Sequence, residues 1–121
     1  MKTGREKPVI GVVGPCGSGK STLVSALKKS GIDARHIAQE HSYVVTMWQR
    51  ITNPDILVYL DASFDTATLR RKLNWTEAEF KIQLERLSNA RQNADLLIVT
   101  DQLAPEEIFQ IVTEYLNKQV S

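Results

Sequence analysis

A single cysteine, Cys16, stands in a chain of 121 residues. That excludes an internal disulfide framework and fits a reducing compartment, so a cytoplasmic setting is expected. No stretch reaches the roughly 20 consecutive apolar residues that cross a bilayer, and no membrane partner is expected. The basic start, "MKTGREK", precedes an apolar run too short for a secretory leader, which passes directly into glycines. Charge of one sign is missing too: 15 Lys and Arg against 14 Asp and Glu give a net charge of +1, mixed along the chain. No basic stripe marks a nucleic-acid face. Repeats, linkers and low-complexity segments are absent, and this length forms one domain, 1–121. Any substrate site must be built on that single core.

What is present is an alternation of strand and helix patterns. "VIGVV", residues 9–13, is the β-branched run of a strand buried on both faces. Residues 20–30 carry Leu23, Ala26 and Leu27 at helical spacing, and Gly31 is a natural stop. "ARHIAQE", 34–40, is a weaker second strand, and "HSYVVTMWQRI", 41–51, sets Tyr43, Val44, Met47, Trp48 and Ile51 along one helical face, broken by "NPD" at 53–55. "ILVYLD", 56–61, is a clear buried strand, and Ser63 caps a helix to about Lys72. Thr76 to Glu79 fits a capping box for a helix reaching Ala94, with Phe80, Leu84, Leu87 and Ala90 on one face. "DLLIVTD", 95–101, is the last strand, and Pro105, Glu106 and Glu107 open an amphipathic final helix. The pattern predicts an α/β protein of three layers, α/β/α, with a small, mostly parallel sheet of about four strands.

Between the first strand and first helix, Gly14, Gly19, Lys20 and Ser21 satisfy G-x-x-x-x-G-K-[ST] in the context that this motif demands. Glycines let backbone N–H groups turn inward around an oxyanion, and the helix adds its positive end. Lys20 is expected to reach the β and γ phosphates and Ser21 to contact Mg²⁺. The expected nucleotide contacts are therefore Gly14, Pro15, Cys16, Gly17, Ser18, Gly19, Lys20, Ser21 and Thr22, with ATP and Mg²⁺ as the bound groups.

"GPCGSGKST" resembles the P-loop of the nucleoside and nucleotide kinase-like P-loop NTPases. A second stretch, 54–101, is similar in layout to the second half of dephospho-CoA kinases: an apolar strand ending in Asp-Ala, an arginine-bearing helix, a short lid, a Gln/Arg-rich helix, then "AD" opening the last strand. Together they span roughly half the chain. The resemblance implies an ATP-dependent phosphotransferase acting on a nucleotide-like or small-metabolite acceptor. This chain departs from the family between 34 and 53, an interval too short for the usual acceptor-binding insertion. The same shortness admits a second expectation, a compact ATP sensor or slow ATPase. Neither N-K-x-D nor D-x-x-G occurs, which disfavours a regulatory GTPase.

Phosphoryl transfer needs a metal-holding carboxylate and cationic groups around the phosphates. Asp61 ends a buried strand as such an acid would; Glu40 competes if the second strand lies beside the first, and Asp33 is a distant third. Gln39, Glu40 and His41 could orient an acceptor or water. Tyr43 or Trp48 could stack on a base, although aromatics at helical spacing usually pack as core, which is the expectation for Trp48. Arg70 and Arg71 are the first choices as phosphate clamps, ahead of Arg86 and Arg91. Cys16, near a helix N-terminus, offers a thiol whose oxidation would block nucleotide, a minor expectation. Beyond nucleotide and acceptor, self-association through 43–51 or a partner protein completes the expected partners.

Overall fold

The computed structural model describes residues 7–72 and 74–120. The basic residues 1–6, and Leu73 in the stretch expected to form a lid, lie outside the described residues. Four strands alternate with helices: β1 Val9–Val13, α1 Lys20–Lys29, β2 Asp33–His36, a 3-10 turn Gln39–His41, α2 Met47–Ile51, β3 Ile56–Asp61, α3 Phe64–Arg71, α4 Glu77–Asn93, β4 Leu96–Val99 and α5 Pro105–Val120. The sheet order is β2-β1-β3-β4 and every pairing is parallel. β1 is central, wholly buried, and pairs with β2 from Val9↔Asp33 to Val12↔His36. The expected condition on Glu40 is thus met: the second strand lies directly beside the first.

Alternation along the strands divides the core in two. Ile10, Val12, Val58, Leu60 and Ile98 point to one face, where they meet Leu23, Val24 and Leu27 of α1 and Ile108 and Val112 of α5. Val13, Leu57 and Tyr59 point to the other, against Trp48 of α2 and Leu87 and Ala90 of α4. Helices therefore cover both faces, consistent with a three-layer α/β/α arrangement. Gly11 lies where β1 is crossed closely: a Cβ there would stand 2.7 Å from Ile37 and 2.9 Å from Pro54.

Local capping matches the sequence at two helices. Ser63 Oγ accepts from the Thr66 N–H to start α3. Thr76 and Glu79 form the reciprocal box at the start of α4. Residues 34–51 differ from expectation. β2 is Asp33–His36, shorter than 34–40 and one residue earlier, and the helix expected over 41–51 exists only as Met47–Ile51. The Gln39 side chain accounts for this. Its amide donates to the Val44 carbonyl at 2.9 Å and its oxygen accepts from the Trp48 N–H at 2.8 Å, holding the intervening residues in a non-helical turn. Ser42 reinforces it by accepting from the Val44 N–H. Only Trp48 of the expected apolar face is buried, as core; Tyr43 is 88% and Ile51 75% exposed. β4 is likewise trimmed to Leu96–Val99 from 95–101.

Candidate functional site

The glycine-rich bend between β1 and α1 is specified by backbone geometry. Gly14, Gly17 and Gly19 have φ of 155°, 83° and 104°. Gly14 and Gly17 are also hemmed in, since a Cβ would lie 2.3 Å from the Leu60 carbonyl oxygen and 2.5 Å from that of Ala67. Gly19 is the N-cap of α1 and supplies no capping side chain, so the first-turn N–H groups are left for other acceptors. No acidic residue stands in that turn. The end of the helix keeps its full positive character.

Lys20, the first residue of α1, is only 5% exposed. Its ammonium donates to the Gly14 carbonyl at 2.6 Å and the Pro15 carbonyl at 3.1 Å, and pairs with Glu40 Oε2 at 2.8 Å. Glu40 is 3% exposed, and its second oxygen, Oε1, is buried with no hydrogen-bond partner. A buried carboxylate oxygen without a partner is costly and is a ready acceptor for a ligand or cation. Glu40 is held in place by its own backbone, whose carbonyl accepts from Arg86 Nη1 at 3.3 Å.

A cavity of about 570 Å³ opens over this group, within the usual range for small-molecule sites. Cys16, Gly17, Gly19, Lys20, Ser21 and Thr22 line one side, His36, Ala38, Glu40 and His41 another, with Arg70, Arg71 and the start of α5 beyond. Gly14, Pro15 and Ser18 are buried beneath the bend and shape it without lining the cavity. The two acids expected to compete are separated. Glu40 lines the cavity, whereas Asp61 does not; it sits 3.9 Å from Arg91 in a partly exposed pair of little energetic weight.

The arginines also divide. Arg70 Nη1 donates to Thr100 Oγ1 at 2.9 Å and reaches the Gly17 and Ser18 carbonyls at 3.4 and 3.5 Å, while Nη2 donates to the Thr100 carbonyl. Arg70 thus braces the bend as well as lining the cavity. Arg71 lines the cavity from the last residue of α3. Arg86 stacks on the exposed Tyr43 ring at 4.6 Å, and Arg91 lies at the surface. The pKa of His36 is lowered, chiefly by burial and secondarily by the Lys20 ammonium. Its neutral form is favoured at the cavity wall.

Two supporting side chains escaped the sequence reading, and a third has another role than expected. Gln83 Oε1 accepts from the Cys16 N–H at 3.0 Å and its amide donates to Cys16 Sγ at 3.3 Å. Buried Thr100 donates its hydroxyl toward the Ser18 and Asp61 carbonyls, both 3.1 Å away. Gln39, expected near an acceptor, is a buried bracket instead, donating also to the Arg86 carbonyl at 3.1 Å. A polar residue at the helical spacing of Phe80 and Leu87 was the available signal for Gln83.

No family model matches this sequence, and no curated protein matches it. No helix among the described residues is long and apolar enough to cross a membrane.

Proposed function

We propose that this protein is an ATP-binding P-loop NTPase of three-layer α/β/α architecture acting as a small phosphotransferase, moving the γ phosphate to a nucleotide-like or small-metabolite acceptor. One observation carries the reading: a buried lysine at the first position of α1, folded onto the carbonyls of a left-handed glycine bend at the mouth of the cavity. In this role the first-turn N–H groups of α1 take the phosphate oxygens. Lys20 turns from Gly14, Pro15 and Glu40 to the β and γ phosphates. Arg71 meets the transferring group from across the cavity, and Arg70 fixes the bend through Thr100.

The donor set fits Mg²⁺: Ser21 stands exposed in the first turn, and Glu40 offers a buried oxygen that lacks a partner. Ser21 and Glu40 would hold the ion, which supplies charge neutralisation at the phosphates. Asp61 is the weaker choice because it lies outside the cavity lining. Cytoplasmic residence accords with this chemistry and with the one free thiol.

A second reading, a sensor or slow ATPase, is favoured by the interval 34–53, where a short strand, one 3-10 turn and a five-residue helix leave little chain for an acceptor lobe. Phosphorus NMR on the purified protein with Mg²⁺-ATP or Mg²⁺-GTP separates the two readings, run alone and with pools of nucleosides, nucleotides and coenzyme precursors. A phosphorylated acceptor that disappears in Lys20→Ala is the expected result. Nucleotide binding with only slow phosphate release, whatever is added, overturns the phosphotransferase reading in favour of the sensor. Absence of any nucleotide binding overturns both.

A further inference from the structure

Cys16 comes from the glycine bend, Glu40 and His41 from the 3-10 turn after β2, and the topology brings their donor atoms together. Cys16 Sγ lies 3.5 Å from His41 Nε2 and 3.9 Å from Glu40 Oε2, and His41 Nε2 lies 3.8 Å from Glu40 Oε2. A tetrahedral ion with usual Zn–S, Zn–N and Zn–O bond lengths separates such ligands by about 3.6 Å for S···N, about 3.6 Å for S···O and about 3.4 Å for N···O. The three observed separations fall within a few tenths of an ångström of those values. All three residues line the cavity.

We propose that Cys16, Glu40 and His41 form a three-ligand site for a borderline-soft divalent cation, Zn²⁺, with one position open to solvent or substrate. The proposal stands without the nucleotide reading. The donor set of thiolate, imidazole and carboxylate suits zinc and is foreign to magnesium, which takes oxygen. Independent support comes from Glu40, 3% exposed, whose Oε1 has no hydrogen-bond partner and stands on the same carboxylate as the cluster atom. A cation on Oε2 offsets carboxylate charge that the unpartnered Oε1 leaves uncompensated. Lys20 loses little, because the Gly14 and Pro15 carbonyls still accept from it. Gln83 donates to Cys16 Sγ and is itself fixed by the Cys16 N–H, an outer contact that steadies a thiolate. On binding, the S–H bond of Cys16 breaks, sulfur keeps the electron pair as the Zn–S bond forms, and one proton leaves to solvent.

The test uses the tag-free, reduced protein in competition with a chromophoric zinc chelator, with Co²⁺ as a spectroscopic probe. One Zn²⁺ per chain, one proton released per ion and a thiolate-to-cobalt charge-transfer band are expected. Cys16→Ser and His41→Ala, with folding verified by circular dichroism, each weaken zinc at least about tenfold. Excess Mg²⁺ in the absence of nucleotide leaves binding unchanged. The proposal is overturned if the protein fails to compete with the chelator, if either variant binds as the wild type does, or if bound Co²⁺ shows no charge-transfer band.

Discussion

Replacing Lys20 by Met keeps most of its aliphatic volume and removes the ammonium that Glu40 faces at 2.8 Å. The gross attraction of such a pair at an effective dielectric of 20 is roughly 6 kcal/mol, largely cancelled by the desolvation of both ions. Breaking it is another matter, because Glu40 stays buried with Oε1 already unpartnered. The expected loss for Lys20→Met is about 3–5 kcal/mol, the usual result of stranding one member of a buried pair. Glu40→Gln strands nothing comparable, since the ammonium keeps the Gly14 and Pro15 carbonyls and gains an amide oxygen. Its loss should be about 1–2 kcal/mol. The double variant should then be more stable than the two losses summed, by about 1–3 kcal/mol. Urea unfolding followed by circular dichroism measures all four proteins, with unchanged m-values as the condition for comparison. Equal losses in the two single variants, or strict additivity in the double, would refute the assignment of Glu40 as the stranded partner.

Burial, reinforced by Asp61, pushes the Tyr59 hydroxyl up to about 12. A pKa raised in the folded state contributes stability that is complete below the unfolded value near 10 and disappears as pH rises through the folded one. Alkaline unfolding should therefore steepen between about pH 10 and 12, by up to about 3 kcal/mol, and Tyr59→Phe should remove that part. For His36 the shift is downward, so its contribution is present above the unfolded pKa and declines as pH falls through the lowered one. His36→Gln should flatten the stability profile on the acid side of about pH 6.5. At Gly17, φ is 83° and an added Cβ meets the Ala67 carbonyl, whereas Gly31 has φ of 82° and open space. Gly31→Ala should cost about 1–2 kcal/mol from the backbone alone and Gly17→Ala about 2–5, a difference that thermal melts resolve; equal losses would contradict the close packing of the bend on α3.

The legible parts of the chain were those whose code is local. Val9–Val13 and Ile56–Asp61 announce buried parallel strands by unbroken apolar runs, and the Ser63 cap and the Thr76–Glu79 box form between residues three apart. Glycine positions fixed the bend. The interval 39–51 failed because its structure depends on one side chain, Gln39, outcompeting helical hydrogen bonds through contacts made five, nine and 47 residues away. Periodicity counts apolar residues and is blind to such a bracket. The cluster at Cys16, Glu40 and His41 was hidden for a related reason. Its members were each visible, but their meeting depends on β2 lying beside β1 and on the turn that follows it.

That turn is held from one helix, which changes the role of α4. In the sequence its Arg86 and Arg91 stood behind Arg70 and Arg71 as candidate phosphate clamps. In the structure Gln83, Arg86 and Asn89, spaced three apart and so on one face of the helix, each bind a different part of the site. Gln83 takes Cys16 of the glycine bend, Arg86 takes the carbonyl of Glu40, and Asn89 Oδ1 accepts from Trp48 Nε1 at 3.0 Å. The same helix buries Phe80, Leu87 and Ala90. A helix anchored by core residues on the face that also carries these three contacts cannot swing away without unpacking the core and releasing the bend and the turn together. α4 is therefore a fixed support behind the bend and the turn, holding residues that line the cavity without lining it itself. Movement on ligand binding must come instead from side chains such as Lys20 and Arg71, because α3 is itself packed on the bend through buried Ala67 and tied to it by Arg70.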